Sequence, residues 1–165
     1  ETKYVLSQES AFVTFDLLIV VTEAGSGILL RHQGADEHNY AYKNVVTGYP
    51  YQFENPIAGK TGTTQNQSDG WFMGMVPNLV TGVWVGGEDR AVHFKDIAFG
   101  QGATMALPIW AMYMRDAYAI PELGISMEDF EPPEIQTIPI DCQQEAVLDD
   151  LHQEAKKDDL EGLGF

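Results

Sequence analysis

Polar and apolar positions along the chain predict a helix, a long irregular excursion, three strands and a second helix. Phe12, Phe15, Leu18, Ile19 and Thr22 recur at helical spacing, and Ser7 and Glu9 stand where a helix start wants a capping hydroxyl and a first-turn acid. Gly25-Ser26-Gly27 stops that helix. Residues 32–55 are polar, contain Gly and Tyr, and show no clear period; an excursion of this length in a compact domain tends to be functional or mobile. Three strand-like segments follow, at 56–64, 71–76 and 79–86, the last being the most β-prone stretch of the chain. Pro77-Asn78 signals a tight hairpin, so the last two strands are expected to pair antiparallel. Gly100-Gln101-Gly102-Ala103 leads into a helix over 106–118, with Leu107, Trp110, Met114 and Ala117 on one face and Pro108 in its first turn. Trp71 and Trp84, aromatics on strands, are expected in the core. The fold class is therefore α+β, an antiparallel three-stranded sheet flanked by helices.

Composition bears on partners more than on fold. The chain has 165 residues, 44% of them hydrophobic, enough for one folded domain. Its formal net charge is −16, with 9 Lys+Arg against 25 Asp+Glu, which speaks against a nucleic-acid partner. An apolar run such as Leu17 to Val21 is far short of the roughly 20 residues of a membrane span. A lone cysteine, Cys142, allows no intrachain disulfide and no Cys-rich zinc site. His32, His38, His93 and His152 lack any paired spacing for a metal, and no cofactor is expected.

The charge is uneven. Residues 121–165 hold 13 acidic and 2 basic side chains, together with four prolines, against 12 and 7 in residues 1–120. That shift divides the chain into a body, 1–120, and an acidic tail, 121–165. The tail reads as solvated and partly disordered, with one helix from about Gln143 to Lys157; a partner-binding acidic arm is the alternative. The chain begins with Glu1 and carries no signal peptide, so it is expected to be a piece of something longer.

Candidate chemistry concentrates in Gly59-Lys60-Thr61-Gly62-Thr63-Thr64. Gly-Lys-Thr ends a phosphate-binding P-loop, but Glu54 stands where that motif needs its first glycine, and no amphipathic helix follows. The other meaning is Lys-Thr-Gly on a strand. Gly62 lets a ligand lie close to the backbone, and an edge strand can accept an extended peptide as an added strand. Lys60 and two hydroxyls beside that edge suit a carboxylate-bearing peptide. Simple alternation puts Lys60 and Gly62 on one face and Thr61 and Thr63 on the other, so a local twist is needed if Lys60 and Thr61 are to serve one ligand.

Lys-Thr-Gly belongs, with Ser-x-x-Lys and a Ser-Asp-Asn-type motif, to the signature of penicillin-binding proteins and class A β-lactamases. Residues 56–64, Ser68-Asp69-Gly70-Trp71-Phe72-Met73-Gly74-Met75-Val76-Pro77, residues 79–87 and Ala106-Leu107-Pro108-Ile109-Trp110 resemble the C-terminal part of the transpeptidase domain of bifunctional class A penicillin-binding proteins. The resemblance covers about residues 4–118. It implies a partial transpeptidase fold, shared with β-lactamases, and a serine acyl-transfer chemistry. A serine attacks the penultimate D-alanine carbonyl of a peptidoglycan stem peptide, D-alanine leaves, and an acceptor amine resolves the acyl-enzyme; β-lactams acylate the same serine. It implies that Lys60 shapes the site's electrostatics and helps proton transfer, that Thr61, Gly62 and Thr63 bind the substrate or antibiotic, and that the Thr63 backbone N–H is one of two oxyanion-hole donors. It further implies a full-length protein that is also a glycosyltransferase, anchored in the bacterial inner membrane with this domain outside the cytoplasm.

The chain departs from that pattern. Three positions after Ser7, Ser10, Ser26, Ser68 and Ser126 stand Ser10, Val13, Leu29, Trp71 and Asp129, so there is no Ser-x-x-Lys. Thr64-Gln65-Asn66 has the letters of the third motif but lies after the Lys-Thr-Gly instead of before it. The isolated chain is therefore expected to be inactive and to need the upstream part of its own domain as a partner. The alternatives are a non-catalytic binding or assembly module with a transpeptidase-like half-fold, or an unrelated domain with a chance Lys-Thr-Gly. In the resembled fold the 79–86 strand pairs with a segment this chain lacks, which predicts an exposed β edge and a homodimer.

Overall fold

A computed structural model describes residues 5–31 and 46–138. The chain divides into two compact units, Thr14–Glu131 and a smaller one made of Glu1–Val13 with Pro132–Phe165. The helix expected at about 143–157 and the 32–45 part of the excursion lie outside the described residues.

Helix α1 runs Gln8–Glu23. The Ser10 N–H donates to Ser7 Oγ at 3.1 Å, so Ser7 caps it as its position predicts. The sheet follows: β1 (Ala58–Thr63), β2 (Asp69–Val76) and β3 (Leu79–Gly86), in the order β1-β2-β3 and antiparallel throughout. Pro77-Asn78 makes the β2–β3 hairpin, with Val76 opposite Leu79. Two single-turn helices not foreseen in the sequence, α2 (Ile97–Gly100) and α3 (Gly102–Met105), precede α4 (Leu107–Tyr118). Asp96 caps α2 by accepting from the Phe99 N–H. The α4 face predicted from spacing is the buried one: Leu107, Trp110, Met114 and Ala117 all point inward.

The core lies between α4 and one face of the sheet. Trp110 is fully buried, meets Phe72 edge-on with ring centroids 5.2 Å apart, and donates from Nε1 to Thr81 Oγ1 at 2.6 Å. That indole occupies the space above Gly74, where a Cβ would overlap its Cε2 and Cζ2 atoms.

Two expectations are corrected. Trp71 and Trp84 are not core: they are 46% and 47% exposed. They stand opposite each other in the β2–β3 register on the outer face, with ring centroids 6.5 Å apart, because residues 70, 72, 74 and 76 take the inner face and the period of two leaves Trp71 outside. The described end of the excursion, in turn, is not polar padding. Val46, Tyr49, Tyr51 and Phe53 are buried, as is Ile57 just beyond it, with Gln52 and Glu54 exposed between them. The alternation of 49, 51 and 53 was present in the sequence, hidden by tyrosine hydroxyls; Tyr51 keeps its own satisfied by donating to the Thr47 carbonyl at 2.6 Å.

Two junctions fix the ends of this unit. Arg31 donates from Nη1 to the carbonyls of Phe53 (3.1 Å) and Asn55 (2.5 Å) and from Nη2 to Thr22 Oγ1 (3.3 Å), tying the end of α1 to the segment that enters β1. Asn78 reaches residues 124–126, donating to the Gly124 carbonyl at 2.8 Å and accepting from the Ser126 N–H at 2.9 Å, while Phe130 stacks on Phe15 with centroids 4.8 Å apart.

In the smaller unit, Glu9 Oε1 accepts from the N–H groups of Thr137 and Ile138 and from the Thr137 hydroxyl. The Ile138 and Thr137 amides hold the Glu9 carboxyl below its ordinary value. A depressed folded pKa stabilises above the unfolded pKa, and the contribution is lost as pH falls through the folded value. Hydrogen exchange at Thr137 and Ile138 is expected to lose protection as pH drops below the ordinary carboxylate range, and Glu9→Gln to lose it already at neutral pH; pH-independent protection would show that the clasp does not form.

Packing of the larger unit makes a paired prediction. Gly74→Ala puts a methyl into Trp110 and is expected to cost about 1–3 kcal/mol, read as a lower urea midpoint. Gly82→Ala meets only the end of the half-exposed Met73 side chain on the outer face and is expected to stay within about 0.5 kcal/mol of the parent.

Candidate functional site at the Lys-Thr-Gly strand

The Lys-Thr-Gly residues lie on β1, an edge strand of the described sheet. Paired residues of an antiparallel ladder share a face. Lys60 is opposite Met73 and Gly62 opposite Trp71, both exposed, whereas Thr61 is opposite the buried Phe72 and Thr63 opposite Gly70. The backbone of β1 thus separates Lys60 from the two threonines, as alternation predicts.

The Lys60 ammonium nonetheless comes back to the strand. The Lys60 stem is long, and its Nζ donates to the Thr61 carbonyl at 2.8 Å. The ammonium therefore lies against the backbone of the residue whose hydroxyl leaves from the other face. Lys60 is exposed, so a ligand at the edge can meet it without displacing packed atoms.

Both threonine hydroxyls are held from outside the sheet. Thr61 Oγ1 lies 2.6 Å from Ser26 Oγ, on the turn that ends α1. Thr63 Oγ1 accepts from the Gly102 N–H at 3.1 Å, at the start of α3. Gly102 has to be glycine there: a Cβ would overlap the carbonyl oxygens of Trp71 and Gly62. An N–H donor on Thr63 Oγ1 leaves that hydroxyl's own proton free for a ligand.

The turn that follows β1 is closed by its own polar groups. The Thr64 N–H donates to the Asp69 carbonyl at 3.1 Å, the Asp69 N–H donates to Thr64 Oγ1 at 3.1 Å, and Thr64 and Ser68 hydroxyls are 3.0 Å apart. Asn66 sits there with φ +63°, so Thr64-Gln65-Asn66 is turn chemistry. Neither of two sizeable cavities, about 360 Å³ beside Val85, His93 and Met105 and about 340 Å³ beside Phe53, Arg115 and Tyr118, is lined by residues 60–63. Among the described residues the candidate site is an open strand edge, and its shape suits an extended ligand more than an enclosed one.

Sequence reasoning singled out Lys60, Thr61, Gly62 and Thr63, and the structure brings all four together with two residues it missed, Ser26 and Gly102. In the sequence Gly25-Ser26-Gly27 reads as a helix stop, and the helix it ends fits the resembled family, but neither gives Ser26 a place in the site. Nothing local in the sequence ties it to a strand 35 residues on.

No family model matches the chain. Among curated proteins it is similar to penicillin-binding protein 1A of Aquifex aeolicus, 44% identical over 79 residues, which is 47% of this chain and 10% of that protein. The same-named protein of Neisseria lactamica is 42% identical over 74 residues, 44% of this chain and 9% of its own length, and that of Neisseria meningitidis 46% over 61 residues, 37% and 7%. The matched stretches thus span about a tenth or less of the length of these relatives. Among the described residues no helix is long and apolar enough to cross a membrane. Over a little less than half its length, this chain is similar to proteins named penicillin-binding protein 1A.

Proposed function

We propose that this chain supplies the Lys-Thr-Gly strand of a peptidoglycan D,D-transpeptidase that also binds penicillin. The observation that carries the reading is the arrangement on β1. An exposed lysine and two externally held hydroxyls stand on an edge strand, within a chain related to proteins named for binding penicillin. In this role Lys60 provides positive charge beside the reacting serine and assists its proton transfer. Thr61 and Thr63 bind the carboxylate of the stem peptide or β-lactam, Gly62 lets it approach, and the Thr63 N–H stabilises the oxyanion. The serine comes from a Ser-x-x-Lys segment that is not among these 165 residues; on the same reading a membrane anchor and a glycosyltransferase domain belong to the full-length protein.

The reading is tested by acylation. In the full-length protein Lys60→Ala is expected to slow acylation by a penicillin about 10²-fold or more with an unchanged melting temperature, since an exposed side chain contributes chemistry instead of packing. The 165-residue chain alone is expected to show no covalent adduct by intact mass. Unchanged acylation in the variant removes Lys60 from the site, and a stoichiometric adduct on the isolated chain refutes the need for another serine. Adduct-free binding with no acylation in any longer form would favour a non-catalytic module.

The isolated chain is further proposed to self-associate. β3 is the other edge of the described sheet, and Val80, Trp84, Trp71 and Met73 leave apolar area on the outer face. Light scattering after size exclusion is expected to give twice the 18.3 kDa chain mass; a folded monomer at that mass refutes the proposal.

A further inference from the structure

Resting on the transpeptidase reading above, we propose that Ser26 is a positioning residue for carboxylate recognition: it orients the Thr61 hydroxyl toward the ligand.

The argument is one of proton count. Ser26 Oγ and Thr61 Oγ1 are 2.6 Å apart, and each hydroxyl has one proton to give. An ionised carboxylate only accepts. If Thr61 is to donate to it, the bond to Ser26 survives only with Ser26 as the donor. Ser26 then does for Thr61 what the Gly102 N–H does for Thr63: it fills a lone pair and leaves the threonine's proton pointing away, toward the open edge. Two hydroxyls prepared in this way stand on alternate residues of one strand face, roughly 6–7 Å apart along the chain. A two-oxygen acceptor can bridge them, with Lys60 at the Thr61 carbonyl supplying charge.

The same contact is not needed to hold the fold. The end of α1 is anchored by Thr22, which is fully buried, donates to the Ile57 carbonyl at 2.6 Å and accepts from Arg31. The turn is closed by its own backbone, Gly27 N–H to the Val21 carbonyl at 2.8 Å, and at Gly25 a Cβ would crowd the Val21 backbone. Ser26 itself is exposed. The fold fixes where Ser26 stands, and the serine hydroxyl adds only the bond to Thr61.

The experiment compares acylation of the full-length protein by benzylpenicillin and by its methyl ester, which lacks the anionic carboxylate. Ser26→Ala is expected to lower the acid rate constant about 3–10-fold, the range of one hydrogen bond, with little change for the ester and an unchanged melting temperature. Ser26→Thr, which keeps the hydroxyl, is expected to restore the acid-to-ester ratio. Equal slowing of both compounds, no slowing of either, or a Ser26→Thr variant as impaired as Ser26→Ala overturns the positioning role while leaving the Lys60 result standing. A wild-type protein that benzylpenicillin does not acylate overturns this proposal together with the reading it rests on.

Discussion

Trp110 sitting on Gly74 is the contact on which the rest of the larger unit depends. The indole needs a glycine beneath it, an aromatic edge beside it and an acceptor for its N–H, and β2 and β3 provide all three in Gly74, Phe72 and Thr81. Docking α4 in this way decides which face of the sheet is covered. Once residues 72, 74 and 76 face inward, the period of two leaves no freedom. Trp71, Met73 and Lys60 must point out, and Thr61 and Thr63 must point toward the helical side. The placement of the candidate site is thus a consequence of a packing contact several residues away from it.

The covered face also explains why the threonine hydroxyls have partners. On that side the chain brings the end of α1 and the start of α3 against β1, so Ser26 and Gly102 come within hydrogen-bond reach. Neither is an accident of loop conformation. The α1 end is pinned through Thr22 and Arg31, whose half-buried guanidinium has its pKa lowered by desolvation and keeps two backbone carbonyls and one hydroxyl as partners. Gly102 is wedged against the β1 and β2 carbonyls so closely that no side chain fits. A hydrogen bond to a fixed partner orients a hydroxyl at little further entropic cost, which is the physical content of preorganisation at such an edge.

Most of the frame was legible in the chain because local rules carry it. The α1 cap at Ser7, the β2–β3 turn at Pro77-Asn78 and the apolar α4 face follow from spacing and turn chemistry that nothing elsewhere in the fold contradicts. The misreadings have one cause, which is that sidedness is a tertiary property. Trp71 and Trp84 belong to strands whose inner positions were already filled by Phe72 and by Val83 and Val85, so their size could not secure them a place inside. Tyr49, Tyr51 and Phe53 alternate without ladder pairing among the described residues, and only the contact with α4 reveals that they belong to the core. Within the site the Lys-Thr-Gly string announced itself, whereas Ser26 and Gly102 required the fold, because each meets its threonine across more than 30 residues of chain.

The charge of the molecule sharpens what the site has to accomplish. With a formal net charge of −16, the chain repels an anionic ligand at long range. At physiological ionic strength that repulsion is screened beyond about 8 Å, so it slows encounter without deciding what happens at contact. If the site takes a carboxylate, as the proposed function has it, recognition must then come from groups within hydrogen-bond distance, where screening does not act. β1 offers such groups from both of its faces: a lysine whose stem bends back to the strand's backbone, and two neutral hydroxyls, each hydrogen-bonded to a group held elsewhere in the fold. Hydroxyls carry no net charge to be desolvated before the ligand arrives, so they present donors to an anion without burying a second cation that would need its own partner. Under the proposed function, an acidic chain holds its anionic ligand at this edge through oriented dipoles and one exposed ammonium, and the orientation of those dipoles then matters more than the overall balance of charge.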